Sequence, residues 1–272
     1  MEAQTTSSKA SNRRPALLLL GAFAFAFCIG ATVHEFGHYF VDRLVGIPEV
    51  GVVLHPFASP HIVIPGVFPD ELKGWPDAAG PLNNIVLSTI VVLLVWRWRR
   101  PALLPLLLWA PMAYVQEGFS SAMGLLVAGS DSARIVSVGV PAAAVLAFSV
   151  LLFVAGLVGM WLLFPLLNLS ADDSFEKKFG VLARGMGGYV GLLFLYNLVF
   201  NTSNPAELQR SMVLLVFVFL LVTLLAALHR PVHAFLSRLS RTELAPVARS
   251  AVLTALSMGG AIIVVEMLVL NS

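Results

Sequence analysis

The sequence predicts an all-α integral membrane protein of about seven transmembrane helices, with one short extended segment at the membrane surface after the first helix. Three observations carry that prediction. Of the 272 residues, 58% are hydrophobic and only 12% are charged, against about 45–50% and about 25% in soluble domains. The mean hydropathy is +0.88. The apolar residues are gathered into runs long enough to cross a hydrocarbon core about 30 Å thick, which takes roughly 20 residues of helix. This composition excludes a disordered chain, a disulfide-built secreted domain and a nucleic-acid binder. The net charge of +2 and the single cysteine, Cys28 inside an apolar run, add no further restriction.

Taken in order, residues 1–14 read as a polar, basic and disordered tail on the cytoplasmic side. The first span covers about 15–41. Its apolar stretch from Ala16 to Val33 is longer than a signal-peptide core and is not followed by a cleavage site with soluble sequence beyond it, so it is expected to be retained. The other spans are expected at about 80–96, 102–127, 138–166, 181–200, 211–228 and 247–270. Between the first two lies the longest non-spanning segment, Gly46 to Ala79. There Val50, Val52 and Leu54 alternate with smaller or polar residues, and Ile62, Val63 and Ile64 follow among Pro56, Pro60 and Pro65. The pattern predicts a short pair of extended segments at, or dipping into, the membrane surface. Backbone of that kind survives at membrane depth only where protein or water satisfies its polar groups.

Gly185, Gly187, Gly188 and Gly191 in the fifth span are read as sites of close helix packing. The basic stretch from His229 to Arg241 is expected on the cytoplasmic surface. His229 and His233 stand four apart, but Arg230 and Pro231 lie between them, and both are read as surface residues. Of the 17 Lys and Arg, all but Arg43, Lys73, Arg134 and Arg210 fall on one side of the expected spans. That bias assigns the N-terminus to the cytoplasm and the C-terminus to the opposite side. Residues 15–272 read as a single polytopic domain of a multi-pass cell-membrane protein.

The chemistry concentrates in His34-Glu35-Phe36-Gly37-His38 at the end of the first span. Residues four apart share a helix face, so both imidazoles can reach one metal ion. Glu35 stands beside them, placed to take a proton from water at that metal. Ionisable groups inside a span are costly and usually functional. A catalytic zinc takes three protein ligands and keeps a fourth position open. The third ligand must come from elsewhere: Asp131 after the third span, Glu117 within that span, Asp77, His55 or His61 in the surface segment, Asp42, Glu207 or Glu266.

The motif is followed by Ala79-Gly80-Pro81-Leu82-Asn83-Asn84 opening the next span. Together the two resemble the site-2 protease family of intramembrane zinc metallopeptidases, as a divergent branch. The resemblance covers roughly residues 20–140. It implies a metallopeptidase-like core over about 15–140 with additional helices over 141–272. It further implies a Zn2+ cofactor with His34 and His38 as ligands, Glu35 as the catalytic base, Asn84 near the substrate backbone and Asp131 as third ligand, with Glu117 the alternative. Asp131 is followed by Ser132 where the family carries Gly, no PDZ domain is inserted, and the basic residues place the motif toward the outer face rather than the cytosolic one.

The function so implied is zinc-dependent cleavage of a membrane-spanning protein substrate within the lipid bilayer, with no nucleic-acid partner. Two other readings fit the same motif: hydrolysis of a lipid amide, and a non-catalytic protein that binds metal, lipid or a partner helix. Glu35 counts against the last, because a purely structural metal site has no use for a base beside its histidines.

Overall fold

Apolar runs in lipid satisfy their backbone as helices, and the chain is built that way. The computed structural model describes residues 2–47, 49–55, 61–63, 74–201, 204–236 and 247–269. Helix α1 (Glu2–Leu44) leads into a hairpin of β1 (Gly51–Val53) and β2 (His61–Val63). Then come α2 (Trp75–Val95), α3 (Leu104–Gly124), the short α4 (Asp131–Ser137) and α5 (Ala142–Leu163). Helices α6 (Phe175–Leu182) and α7 (Gly188–Phe200) run together through a π turn at Ala183–Gly187, and α8 (Pro205–Leu236) and α9 (Arg249–Val269) complete the chain.

Among the described residues, six stretches are long and apolar enough to cross a membrane: Asn12–Leu44, Pro76–Trp98, Ala142–Leu167, Phe175–Phe200, Pro205–Phe235 and Arg249–Leu268. This is the architecture of a multi-pass membrane protein. The remaining expected span, 102–127, forms helix α3. Its 21 residues reach about 31 Å at 1.5 Å per residue, but Gln116, Glu117, Ser120 and Ser121 dilute its apolarity. It is packed among α1, α2 and α5. Helix α1 begins at Glu2 rather than after a tail; residues 2–14 contain neither Gly nor Pro to stop it.

Helix α1 is the central element, packed against α2, α3 and α9. Small residues let backbones meet at these crossings. A Cβ on Gly259 would lie 2.6 Å from the Gly21 carbonyl oxygen, and one on Gly37 2.7 Å from Asn83 Cβ in α2. Across α3 and α5, Gly156 sits against the Pro111 carbonyl and Gly118 against that of Ser149. In the π turn, Gly185 packs on Leu19; Gly187 and Gly191 face open space, so close packing holds at the first and not at the other two. The buried core gathers Leu18, Phe23, Leu107, Phe164, Val190 and Leu225 from four of these helices and the turn after α5.

The expected extended pair is a two-stranded antiparallel sheet with Gly51 opposite Val63, Val52 opposite Ile62 and Val53 opposite His61. Pro56, Pro60 and Pro65 lie outside the described residues. Pro231 sits inside α8, and the helix runs on to Leu236. His229 therefore turns inward, 3% exposed, with its ring 4.6 Å from that of Phe164; the expectation of a surface residue fails there. Residues 237–241 of the expected surface stretch lie outside the described residues.

Candidate metal centre

The last turns of α1 present His34, Glu35 and His38 toward α2, α3 and α4. The two Nε2 atoms stand 3.1 Å apart. Asp131, the first residue of α4, brings Oδ2 to 3.5 Å from His34 Nε2 and 3.4 Å from His38 Nε2. These three side chains form a group able to hold a metal ion. Tetrahedral coordination with bonds of about 2.0–2.2 Å sets ligand atoms about 3.3–3.6 Å apart, close to the edges observed here.

The proton positions point the same way. His38 Nδ1 lies 2.6 Å from the Pro76 carbonyl oxygen. A carbonyl only accepts, so Nδ1 carries the proton and Nε2 a lone pair. His34 Nδ1 lies 3.0 Å from Glu117 Oε1, which also accepts a 2.7 Å hydrogen bond from Asn84 Nδ2. With both Nδ1 atoms donating, the three converging atoms are all acceptors. Only a cation among them, a metal ion or a proton, makes that arrangement favourable. With a proton as that cation, burial pushes the Asp131 carboxyl up, but hydrogen bonds with the then protonated His34 and His38, and their charge, outweigh burial and hold it well below the usual carboxylate range.

The second motif acquires a physical reading residue by residue. Gly80 lies against both imidazoles: a Cβ there would overlap the His38 ring and come within 2.8 Å of His34 Cδ2. Ala79 offers its carbonyl to the face of Gly37. Asn83 donates a 2.6 Å hydrogen bond to the Val33 carbonyl. Asn84, expected to touch substrate, is 0% exposed; it accepts from Trp109 Nε1 at 3.0 Å and donates to Glu117. Its amide is spent on orienting Glu117, which in turn orients His34. Glu117 itself, the alternative ligand, faces Nδ1 of His34 and not the Nε2 atoms where the site converges.

The other candidates fall elsewhere. Asp77 caps α2 by accepting from the Gly74 amide at 3.1 Å and pairs with Arg134. Asp42 is buried one turn beyond His38, and its Oδ1 has no hydrogen-bond partner among the described residues. Glu266 of α9 accepts from Thr32 at 2.7 Å, and Glu207 pairs with Arg210 at 2.9 Å. The His55 ring lies 5.7 Å from that of Tyr196, and His61 is exposed on β2. Burial pushes the His55 imidazole down, opposed by the charge of Glu207.

The centre opens on a cavity of about 490 Å3. His34, Glu35, Glu117 and Asp131 line it together with Asn197 of α7 and with Arg210 and Ser211 of α8. Gln116, Ser120, Ser121, Ser130 and Ser132 add further polar groups. In the wall supplied by α7 and α8, Asn197 reads from sequence as lining a cavity or capping a helix end; Arg210 and Ser211 escaped the sequence reading as wall residues, as did Trp109, the Pro76 carbonyl and Arg134 as parts of the site. The one local signal was the spacing of three between Asp131 and Arg134, which puts them on one helix face. Comparison with protein-family models, curated proteins and solved structures found no match.

Proposed function

We propose that the chain is a zinc-dependent intramembrane endopeptidase that cleaves a membrane-spanning protein substrate. The observation that carries this reading is the convergence of His34 Nε2, His38 Nε2 and Asp131 Oδ2, with both Nδ1 atoms engaged by acceptors and Glu35 on the wall of the same cavity. Two nitrogens and one carboxylate oxygen, with a position left open, form the donor set of a catalytic zinc. Zinc held there would supply Lewis-acid polarisation of the scissile carbonyl and acidify water to near neutral pKa.

The chain's own groups do the rest. Glu35 accepts the proton of the attacking water and passes it to the amine nitrogen as the C–N bond breaks, a role worth about 10²–10⁴ in rate. Glu117 and the Pro76 carbonyl keep the histidines in the tautomer that offers Nε2. The serines, Gln116 and Asn197 of the cavity give an unwound substrate backbone the polar partners that lipid cannot. The β1–β2 hairpin offers an edge for strand addition beside the site. The excess of basic residues on one side favours a cytoplasmic N-terminus, and with it a zinc nearer the opposite face; the proposed location is the cell membrane.

The test is reconstitution of wild type and Glu35→Gln in liposomes with membrane proteins bearing single spans, scored by mass spectrometry for new amino termini within or beside those spans. Cleavage that a zinc chelator stops, and that Glu35→Gln lacks while keeping its metal, supports the assignment. Zinc-loaded wild type that generates no new termini overturns the peptidase reading.

A further inference from the structure

We infer that Arg134 is a positioning residue of the metal centre: it holds Asp131 as a one-oxygen ligand and ties that ligand to the first turn of α2. The inference rests on the metal-centre reading and adds to it the device that sets the ligand geometry. Asp131 divides its two oxygens. Oδ2 faces the histidines, and Oδ1 accepts a 2.7 Å hydrogen bond from Arg134 Nη2. Occupying Oδ1 in this way keeps the carboxylate from gripping an ion with both oxygens, and so leaves a coordination position open for a reactant.

The same guanidinium reaches two further acceptors. Nη1 donates to the Gly129 carbonyl at 2.8 Å, and Nε donates to Asp77 Oδ1. Gly129, at φ +80°, makes the turn that delivers Asp131. Asp77 stands beside Pro76, whose carbonyl holds His38 Nδ1. The contacts therefore close a ring: His38 to the first turn of α2, α2 through Asp77 to Arg134, Arg134 to Asp131, and Asp131 back to His38. The planar fork of Arg serves three acceptors at fixed angles, which a lysine cannot copy. Arg134 is 43% exposed but its partner Asp77 is buried, so losing the pair also costs some stability, and the positioning role is read at the metal beside the thermal midpoint.

The test uses the full chain in detergent, with Zn2+ affinity measured by competition against a chromophoric chelator and the visible ligand-field spectrum recorded for the Co2+-loaded protein. Partners of metal ligands are worth about 10–100-fold in metal affinity. Arg134→Ala is expected to lose that factor and to dim the Co2+ bands, as the freed carboxylate raises the coordination number. Arg134→Lys and Asp77→Asn are expected to fall between, with the thermal midpoint of each variant recorded beside its metal affinity. Should Arg134→Ala fail to accumulate, those two variants carry the comparison alone. Wild-type affinity and an unchanged Co2+ spectrum in all variants that fold would overturn the role of Arg134. A wild-type protein that takes up neither metal would overturn the metal-centre reading instead, and this inference with it.

Discussion

Glu117 Oε1 lies 3.0 Å from His34 Nδ1, a carboxylate 1% exposed and set behind a histidine whose other nitrogen faces the open centre. Helix α3 brings it there, and Asn84 and Trp109 hold it in line. A carboxylate in this position fixes the tautomer and raises the basicity of the ring it touches. Glu117→Gln is therefore expected to weaken Zn2+ binding by about 10–100-fold without abolishing it, as measured by chelator competition. Asp131→Asn, His34→Ala and His38→Ala are expected to lose the metal at any practical concentration. Equal loss in Glu117→Gln and Asp131→Asn would mean that Glu117 is itself a ligand.

Glu35 separates binding from chemistry. It lines the cavity beside the ligands and is not one of the three side chains that converge. Glu35→Gln should keep about one zinc per chain by elemental analysis, and should lose about 10²–10⁴ in cleavage rate. Loss of the metal in this variant would place Glu35 among the ligands.

A pH dependence follows from the three acceptors that face one another. A metal ion and a proton compete for the histidine Nε2 atoms, so acid favours the proton. The sign is set by the imidazoles, whose Nε2 atoms must give up the proton before they can take the metal. Zn2+ affinity should therefore fall as the solution is acidified and recover as the pH is raised again. A titration monitored by chelator competition checks this. Affinity that held steady to pH 5 would exclude histidine as the dominant ligand.

What the sequence made legible is what is local. His34 and His38 share a face because of helical spacing alone, and Val50 to Leu54 alternate as a strand must; each needs no knowledge of the rest of the chain. Asp131 and Glu117 could not be told apart from sequence, because the choice depends on which histidine nitrogen each reaches across a helix crossing. Asn84 was read toward the substrate, but its amide lies against Gly30 of α1 and reaches inward to Glu117. Pro231 suggested a boundary, yet α8 continues through it, and packing against Phe164 carries His229 inside. On the α7–α8 wall of the cavity, Asn197 reads from sequence equally as a cavity-lining or a helix-capping residue, and Ser211 is an ordinary residue until the fold sets it in the same cavity as the metal ligands.

Gly80 tests how tightly the second motif is fitted to the first. Alanine is the better helix former by roughly 0.5–1 kcal/mol, yet a Cβ at this position would overlap the His38 imidazole. Inserting a methyl into such a contact typically costs about 1–3 kcal/mol. Gly80→Ala should therefore lower zinc affinity more than it lowers the thermal midpoint, because the ring it displaces carries a ligand atom. Gly37→Ala, which meets the Ala79 carbonyl and Asn83 Cβ instead, should lower the midpoint first. Zinc content and thermal unfolding of the two variants, measured together, distinguish the outcomes. Metal binding untouched in Gly80→Ala would show that α2 can retreat without moving His38.

The α7–α8 wall of the cavity yields the prediction that bears most on substrate. Ser211 is buried on α8, donates to the Leu208 carbonyl at 2.8 Å and lines the same cavity as the metal ligands. Its hydrogen bond stays within its own helix, so replacing it leaves no distant group unpaired. Leucine there would fill part of the roughly 490 Å3 cavity and replace a polar surface by an apolar one. Backbone segments unwound in the membrane need polar partners, so Ser211→Leu should retain its zinc and the wild-type Co2+ spectrum while cleavage falls. A loss of about 10-fold or more corresponds to at least about 1.4 kcal/mol in the transition state. The loss should appear with spanning substrates and be smaller with short peptides that fit the end of the cavity nearest Glu35. Full activity on both would show that substrate does not reach α8, and would confine the working part of the cavity to α1, α3 and the turn before α4.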